Sequence, residues 1–126
     1  MTNQRLAVFA REKYISLESY RKSGEAIATP VWFAQDDKAI YVYSLADAFK
    51  VKRIRNNPKV RIAPCDMRGK VTGEWVDGRA RIITDPDEDN RAHQLLDQKY
   101  GWMKRIGNLF SSLRRRARTA IAIELA

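Results

Sequence analysis

The sequence predicts a mainly β fold, a six-stranded antiparallel barrel with α insertions, and three observations carry that expectation. Short β-rich segments follow one another at hairpin spacing. Helical spacing appears only after the third segment and again before the last. Helices therefore do not alternate with strands as a parallel sheet requires, and a closed or partly closed barrel removes the exposed edges that short strands would leave. The 126 residues form one domain, 1–126, with no repeat or linker. A chain of this size buries roughly 65–70% of its unfolded surface without staples.

Taken in order, Tyr14–Tyr20 alternates, with Ile15 and Leu17 on one face and Ser16 and Glu18 on the other, as a half-buried strand does. Arg21–Glu25 is a turn, with Gly24 available for positive φ. Ala26–Ala34 is almost continuously apolar and rich in β-formers, which predicts a strand covered on both faces. Pro30 cannot donate to a ladder, so one edge there is open, bulged or turned toward a ligand. Asp36-Asp37-Lys38 closes a hairpin into a third strand, Ala39–Ser44. Asp47 then stands as N-cap of a helix whose Ala48, Val51 and Ile54 share a face, ended by Asn56-Asn57-Pro58. Lys59–Cys65 is the fourth strand and Arg68-Gly69-Lys70 a turn; Val71–Ile83 is a long fifth strand interrupted by Gly73 and Gly78. Asp85 caps a second helix opened by Pro86, which runs to about Tyr100 with acids in its first turn. Trp102–Leu113 has the spacing of a further short helix, and Thr119–Leu125 closes the fold as the last strand.

Composition narrows the function classes. Apolar residues are 44% and charged residues 31%, and three Trp, five Tyr and four Phe supply core material, which excludes disorder. One Cys and one His exclude an intrachain disulfide and a Cys/His zinc site, so no metal is expected, and a reducing compartment fits. No apolar run reaches the roughly 18 residues of a membrane span, and Met1–Tyr14 lacks a signal peptide's apolar stretch, so a cytoplasmic protein without a membrane partner is expected. The net charge is +9 and the sequence pI about 10.0, a field that attracts anions. The charge is patterned: Lys50, Lys52, Arg53, Arg55, Lys59 and Arg61 lie between Asp47 and Asp66 with no acid among them. Seven more cations lie between Asp97 and Glu124, again without an acid.

Motifs for catalysis by side chains are absent. There is no glycine-rich phosphate loop, no nucleophile elbow and no paired general acid and base, so no catalytic residue is assigned. His93 reads as a solvated or capping histidine and Cys65 as a buried inert thiol. The informative stretch is Tyr43–Pro58, where a strand end feeds a helix N-terminus that favours an anion. Lys50 and Arg53, three residues apart, are neighbours on that helix, so one phosphate could meet backbone N–H groups, Ser44 and two cations together.

Tyr43-Ser44, Lys50 and Asn57-Pro58, at their spacing, resemble the cofactor segment of the pyridoxamine 5′-phosphate oxidase-like superfamily, the flavin-binding split barrels. Ala28–Phe33 resembles the strand along which that superfamily lays the isoalloxazine ring, and Trp75–Ala80 the later strand that returns beneath it. Ala28–Ala34, Lys50–Pro58, Ala63–Asp66 and Lys99-Tyr100-Gly101 resemble more narrowly a subgroup of short proteins described as coenzyme F-420-dependent oxidoreductases. The resemblance implies a split barrel of the FMN-binding type, a homodimer with the cofactor groove at its seam, and FMN or the deazaflavin F-420 as cofactor. Carried across residue by residue, it puts Thr29, Pro30, Val31 and Trp32 against the ring, Tyr43 and Ser44 at the phosphate end and Lys50 on the phosphate, with Lys52 and Arg53 able to supply further charge. True pyridoxamine phosphate oxidases have Arg, Lys, Arg and Gln where this chain has Thr29, Ala34, Phe49 and Gly73, so vitamin B6 oxidation is not expected.

The expected function is hydride transfer between a flavin-type cofactor and a small-molecule substrate. A second reading, from another class, is a nucleic-acid or anion-binding module built on Arg114-Arg115-Arg116-Ala117-Arg118. Aromatic residues are not interleaved with that run as stacking platforms require, which makes nucleic acid the weaker partner. A haem-binding barrel would have His93 as its only histidine ligand.

Overall fold

Alternation along the first strand becomes a barrel wall. The computed structural model describes residues 4–45, 48–100 and 118–126. Its strands are β1 (Tyr14–Tyr20), β2 (Ala26–Trp32), β3 (Ala34–Gln35), β4 (Ile40–Leu45), β5 (Lys59–Cys65), β6 (Val76–Ile82) and β7 (Arg118–Leu125). The helices are α1 (Gln4–Ala7), α2 (Phe49–Asn56) and α3 (Pro86–Tyr100). All strands join one sheet in the order β2-β1-β5-β6-β7-β4-β3, and every neighbouring pair is antiparallel.

The two ends of that order, β2 and β3, are separated in the chain only by Phe33. The sheet must therefore curl until its edges meet, and the covalent chain closes the seam. This is why seven strands appear where the sequence suggests six. The apolar run Ala26–Ala34 breaks at Phe33 because its first part pairs with β1 and its last residues with β4. Phe33 is fully buried, and the Tyr100 hydroxyl serves its backbone at the break. That hydroxyl accepts from Phe33 N at 3.2 Å and lies 2.8 Å from Phe33 O and 2.7 Å from Lys13 O, to either of which it can donate. A backbone pair that leaves one ladder for another would otherwise be orphaned in the core.

Ile15, Leu17, Ile40, Val42, Ile62, Ile121 and Ile123 fill the barrel, each at most 1% exposed. Leu6 and Phe9, just after the chain begins, join them, and Phe9 meets Phe33 edge to face at 6.4 Å. On the outer side of β4 and β7, Tyr41, Ala120 and Ala122 pack beneath Ala92 of α3. Small residues on the last strand let the helix lie close. Asp85 opens α3 with a long side-chain contact to Asp87 N at 3.4 Å.

Four local readings are corrected. β1 is not half-buried: Ser16, Glu18 and Ser19 are buried as well as Ile15 and Leu17, because the strand is covered on both faces. The run Ala26–Ala34 is not covered on both faces: Ala26, Ala28 and Pro30 are exposed, because β2 lies at one end of the sheet order and no element among the described residues covers its outer side. Pro30 sits on this edge, where a missing donor costs no ladder bond. The N-cap of α2 is Ala48, one residue after Asp47, which itself lies outside the described residues. Only Val76–Ile82 of the expected strand Val71–Ile83 is regular; Val71 keeps a single bridge to Cys65. The Gly73 backbone passes so close to Pro64 that a Cβ there would sit 2.9 Å from Pro64 Cγ. The helix expected over Trp102–Leu113 and the arginines 114–116 also lie outside the described residues. Among the described residues no helix is long and apolar enough to cross a membrane. Cys65 is buried, and burial pushes its thiol above the ordinary range.

Candidate functional site

Helix α2 is amphipathic in a way that aims its cations. Val51 and Ile54 are buried in the barrel cluster, so the faces carrying Phe49, Lys50, Lys52 and Arg53 turn to the side. They meet the inward-pointing Ile27 and Thr29 of β2 and the Arg21-Lys22 turn between β1 and β2. Together with Ala48 and Asn56 these residues line a cavity of about 640 Å³. That size suits a ligand of several rings, since ligand pockets run from roughly 300 to 1,000 Å³.

The cavity is cationic, and among the described residues no acidic side chain lines it. Burial lowers the Lys50 pKa below the ordinary lysine range, and the neighbouring Arg53 lowers it further. Arg53 is itself lowered, first by burial and then by Arg21. Its guanidinium is held in place by a 2.7 Å hydrogen bond from Nε to Ser19 Oγ. Three cations thus repel one another around one space, and an anion placed there relieves all three. The start of α2 adds to the effect. Ala48 offers no side chain to cap it, and no acid stands in the first turn. Among the described residues no side chain caps its first N–H groups, which with the positive end of the helix dipole favour an anion.

The rest of the lining is apolar or nearly so. Ile27, Ala48 and Phe49 supply flat surface, and Phe49 is 75% exposed, with Lys52 Nζ 5.5 Å from its ring centre. Thr29 Oγ1 is buried without a hydrogen-bond partner on the same wall. A donor set of five cations and a helix N-terminus beside an apolar wall fits a phosphorylated, planar ligand.

Of the residues singled out in the sequence, Thr29, Lys50, Lys52 and Arg53 come together in this cavity. Pro30 is on the outer face of β2, beside the turn at Gly69. Val31 packs against the barrel core, and Trp32 lies between Tyr14 and Tyr100 at ring distances of 6.4 and 6.1 Å. Tyr43 faces α3: its hydroxyl is 3.2 Å from Asp89 O and 3.1 Å from His93 Nδ1. His93 in turn reaches Asp97 at 3.3 Å. Ser44 is buried in β4 opposite Thr119. Arg61, part of the same basic run, is engaged elsewhere. Its guanidinium grips Glu18 at 2.8 and 3.1 Å, a bond that holds the Glu18 carboxyl below its usual range, and stacks over Trp75 at 5.0 Å.

Sequence reasoning did not place Arg21, Lys22, Ile27 and Asn56 in the site. Cations in a turn carry no periodic signal, and only the closing of the hairpin onto α2 brings Arg21 and Lys22 to the cavity.

Solved structures of this shape bind more than one kind of ligand. The chain resembles HutZ, the heme storage protein from Vibrio cholerae, at 16% identity and a TM-score of 0.69, over 100% of this chain and 92% of that one. It resembles a FAD-binding protein from Mesorhizobium loti at 17% identity and a TM-score of 0.64, over 97% and 85%. A protein named F420 reductase aligns over 100% of this chain and 96% of its own, at 16% identity and a TM-score of 0.62. At these identities the likeness is one of fold. No curated protein matches the sequence. The sequence profile described as pyridoxamine 5′-phosphate oxidase matches residues 1–126, the full length of the chain, and the protein belongs to that family.

Proposed function

We propose that the protein binds a phosphorylated flavin-type cofactor, FMN or the deazaflavin F-420, and passes hydride between it and a small molecule. The observation that carries this reading is the cationic cavity at the start of α2, which among the described residues holds no acid and no side-chain cap. Lys50, Arg53 and the first N–H groups of α2 hold the phosphate, with Lys52, Arg21 and Lys22 around it. The ring lies along the inward side of β2 beside Ile27 and Thr29. When bound, the cofactor supplies the hydride chemistry, while the protein orients it and keeps water away. A protein named F420 reductase and a FAD-binding protein share the fold, which supports a flavin-type ligand. The resemblance of Lys50–Pro58 and Lys99-Tyr100-Gly101 to the F-420 subgroup favours the deazaflavin.

Vitamin B6 oxidation is not proposed. Thr29, Ala34, Phe49 and Gly73 stand where true pyridoxamine phosphate oxidases carry Arg, Lys, Arg and Gln. At Gly73 the tight approach to Pro64 leaves no room for a side chain unless Pro64 moves. The assembly we propose is a homodimer, with a second copy covering the exposed face of β2. Incubating the purified protein with equal amounts of FMN and F-420, removing free ligand and identifying what stays bound by mass spectrometry tests the reading. Retention of one of the two is expected. Retention of neither would contradict it.

A further inference from the structure

Helix α3 meets β4 through a polar contact as well as through Ala92. His93, half-buried in the middle of α3, stands beside Tyr43 of β4 with ring centres 5.5 Å apart. Three contacts run in series through this pair. His93 Nε2 lies 3.3 Å from Asp97 Oδ2, one helical turn on. His93 Nδ1 lies 3.1 Å from the Tyr43 hydroxyl oxygen, and that oxygen lies 3.2 Å from the carbonyl oxygen of Asp89, one turn back.

Each contact needs a hydrogen. A neutral imidazole has one N–H and the phenol one O–H, so two hydrogens are offered to three contacts. With the hydrogen on Nδ1, the Nε2 lone pair points at the Asp97 carboxylate. With it on Nε2, the Tyr43 hydrogen is taken by Nδ1, and the phenol oxygen faces the Asp89 carbonyl with lone pairs only. The imidazolium supplies the missing hydrogen: Nε2–H donates to Asp97, Nδ1–H to Tyr43, and Tyr43 O–H to Asp89 O.

Charge favours the same state. Asp97 sets a carboxylate against the ring, and Asp89 and Asp97, four residues to either side, share its helix face. The two cations of α3 have other partners: Arg91 reaches Asp36 at 3.8 Å, and Lys99 lies over Phe33 at 3.4 Å. From β4 the facing group is the Tyr43 hydroxyl. On β7, Ala120 pairs with Tyr43 and Ala122 lies in the same cluster, and neither carries a charge.

We propose that His93 is a proton-operated latch between α3 and β4, closed when the imidazole is protonated and short of one link when it is not. The helix it fastens ends in Tyr100, whose hydroxyl serves the strand break at Phe33. None of the latch residues lines the cationic cavity, so the latch works with or without a cofactor. The folded chain holds this proton more tightly than the unfolded chain. The added stability is therefore complete below about pH 6.5, where an unpaired histidine is charged, and is lost as the pH rises through the higher folded-state value.

NMR titration of the imidazole Cε1–H tests the latch, and the chain has a single histidine, so the signal needs no assignment. Its midpoint should lie above the roughly 6.5 of an unpaired histidine. Asp97→Asn, at a half-exposed position, should lower that midpoint. The gap in urea midpoint between the unaltered chain and His93→Gln should be wider at about pH 6 than at about pH 8. A role in packing alone would give the same gap at both. Three results would overturn the proposal: an NMR midpoint at or below roughly 6.5, a midpoint unmoved in Asp97→Asn, or a stability gap that does not change with pH.

Discussion

Tyr100 shows how one side chain can hold a barrel shut. Its ring is buried beside Trp32, and its hydroxyl bonds the backbone of Phe33, where the chain leaves one sheet edge for the other. Burial, the largest cause, pushes its pKa up to about 12, so the hydroxyl keeps its proton throughout the physiological range. Tyr100→Phe keeps the ring and removes the bond, leaving buried backbone groups short of a partner. The loss should be about 1–3 kcal/mol of unfolding free energy, read from the midpoint of a urea titration. An unchanged midpoint would show that the seam does not need the hydroxyl. Nothing in the sequence announces this role. A tyrosine at the end of a helical pattern looks the same whether its hydroxyl meets water or a strand break. The orientation of Tyr43 was equally hidden, because Ile40–Tyr43 is apolar on both faces and alternation cannot say which face is interior. Lys50 and Arg53 were legible, since three-residue spacing on an acid-free helix fixes their common side.

At the level of elements, period was the reliable guide and partners were not. The Val51/Ile54 stripe of α2 and the Pro86 start of α3 read through to the fold, whereas the alternation of β1 located the strand but not its burial, since Ser16 and Glu18 are buried as well as Ile15 and Leu17. The break between β2 and β3 did not, because a continuous apolar run carries no mark where a strand changes neighbour. The start of α2 moved from Asp47 to Ala48 for a related reason: a capping residue type permits a cap without requiring it. The uncapped start has a consequence. Ala48→Asp would supply the missing side-chain acceptor and should stabilise the cofactor-free protein by about 0.5–2 kcal/mol. The same carboxylate would occupy the N–H groups and repel a phosphate, so FMN affinity should fall. Thermal unfolding and FMN titration on the same variant separate the effects. A gain in both stability and affinity would mean that the helix start does not face the phosphate.

For the whole molecule, two features remain after the monomer is assembled. No residue of β2 is fully buried, although the strand is Ala-Ile-Ala-Thr-Pro-Val-Trp. A strand of that composition exposed on its outer face suits a second copy, which is the basis for the proposed homodimer. Phe33, an aromatic that could have belonged to such an interface, is barrel core, so Trp32 and the small outer residues Ala26, Ala28 and Pro30 are the surface on offer. Sedimentation equilibrium at micromolar concentration should give the dimer mass, and Ala28→Asp should shift it toward monomer. A monomer in the unaltered protein would reject the shared seam.

The other feature is the charge. Part of the net +9 falls on α2 and its surroundings, where Lys50, Arg53 and Arg21 stand in mutual repulsion around the cationic cavity. The claim that this repulsion exists to receive a cofactor phosphate is tested most directly by titrating Lys50→Ala with FMN and with riboflavin, which lacks the phosphate. Removing a charge-assisted hydrogen bond worth roughly 1.5–3 kcal/mol should weaken FMN about ten- to a hundredfold and riboflavin far less. Lys38→Ala, in the exposed turn before β4, should change neither. Equal losses for FMN and riboflavin would show that Lys50 acts through the fold and not through the phosphate, and would contradict the assignment of the site.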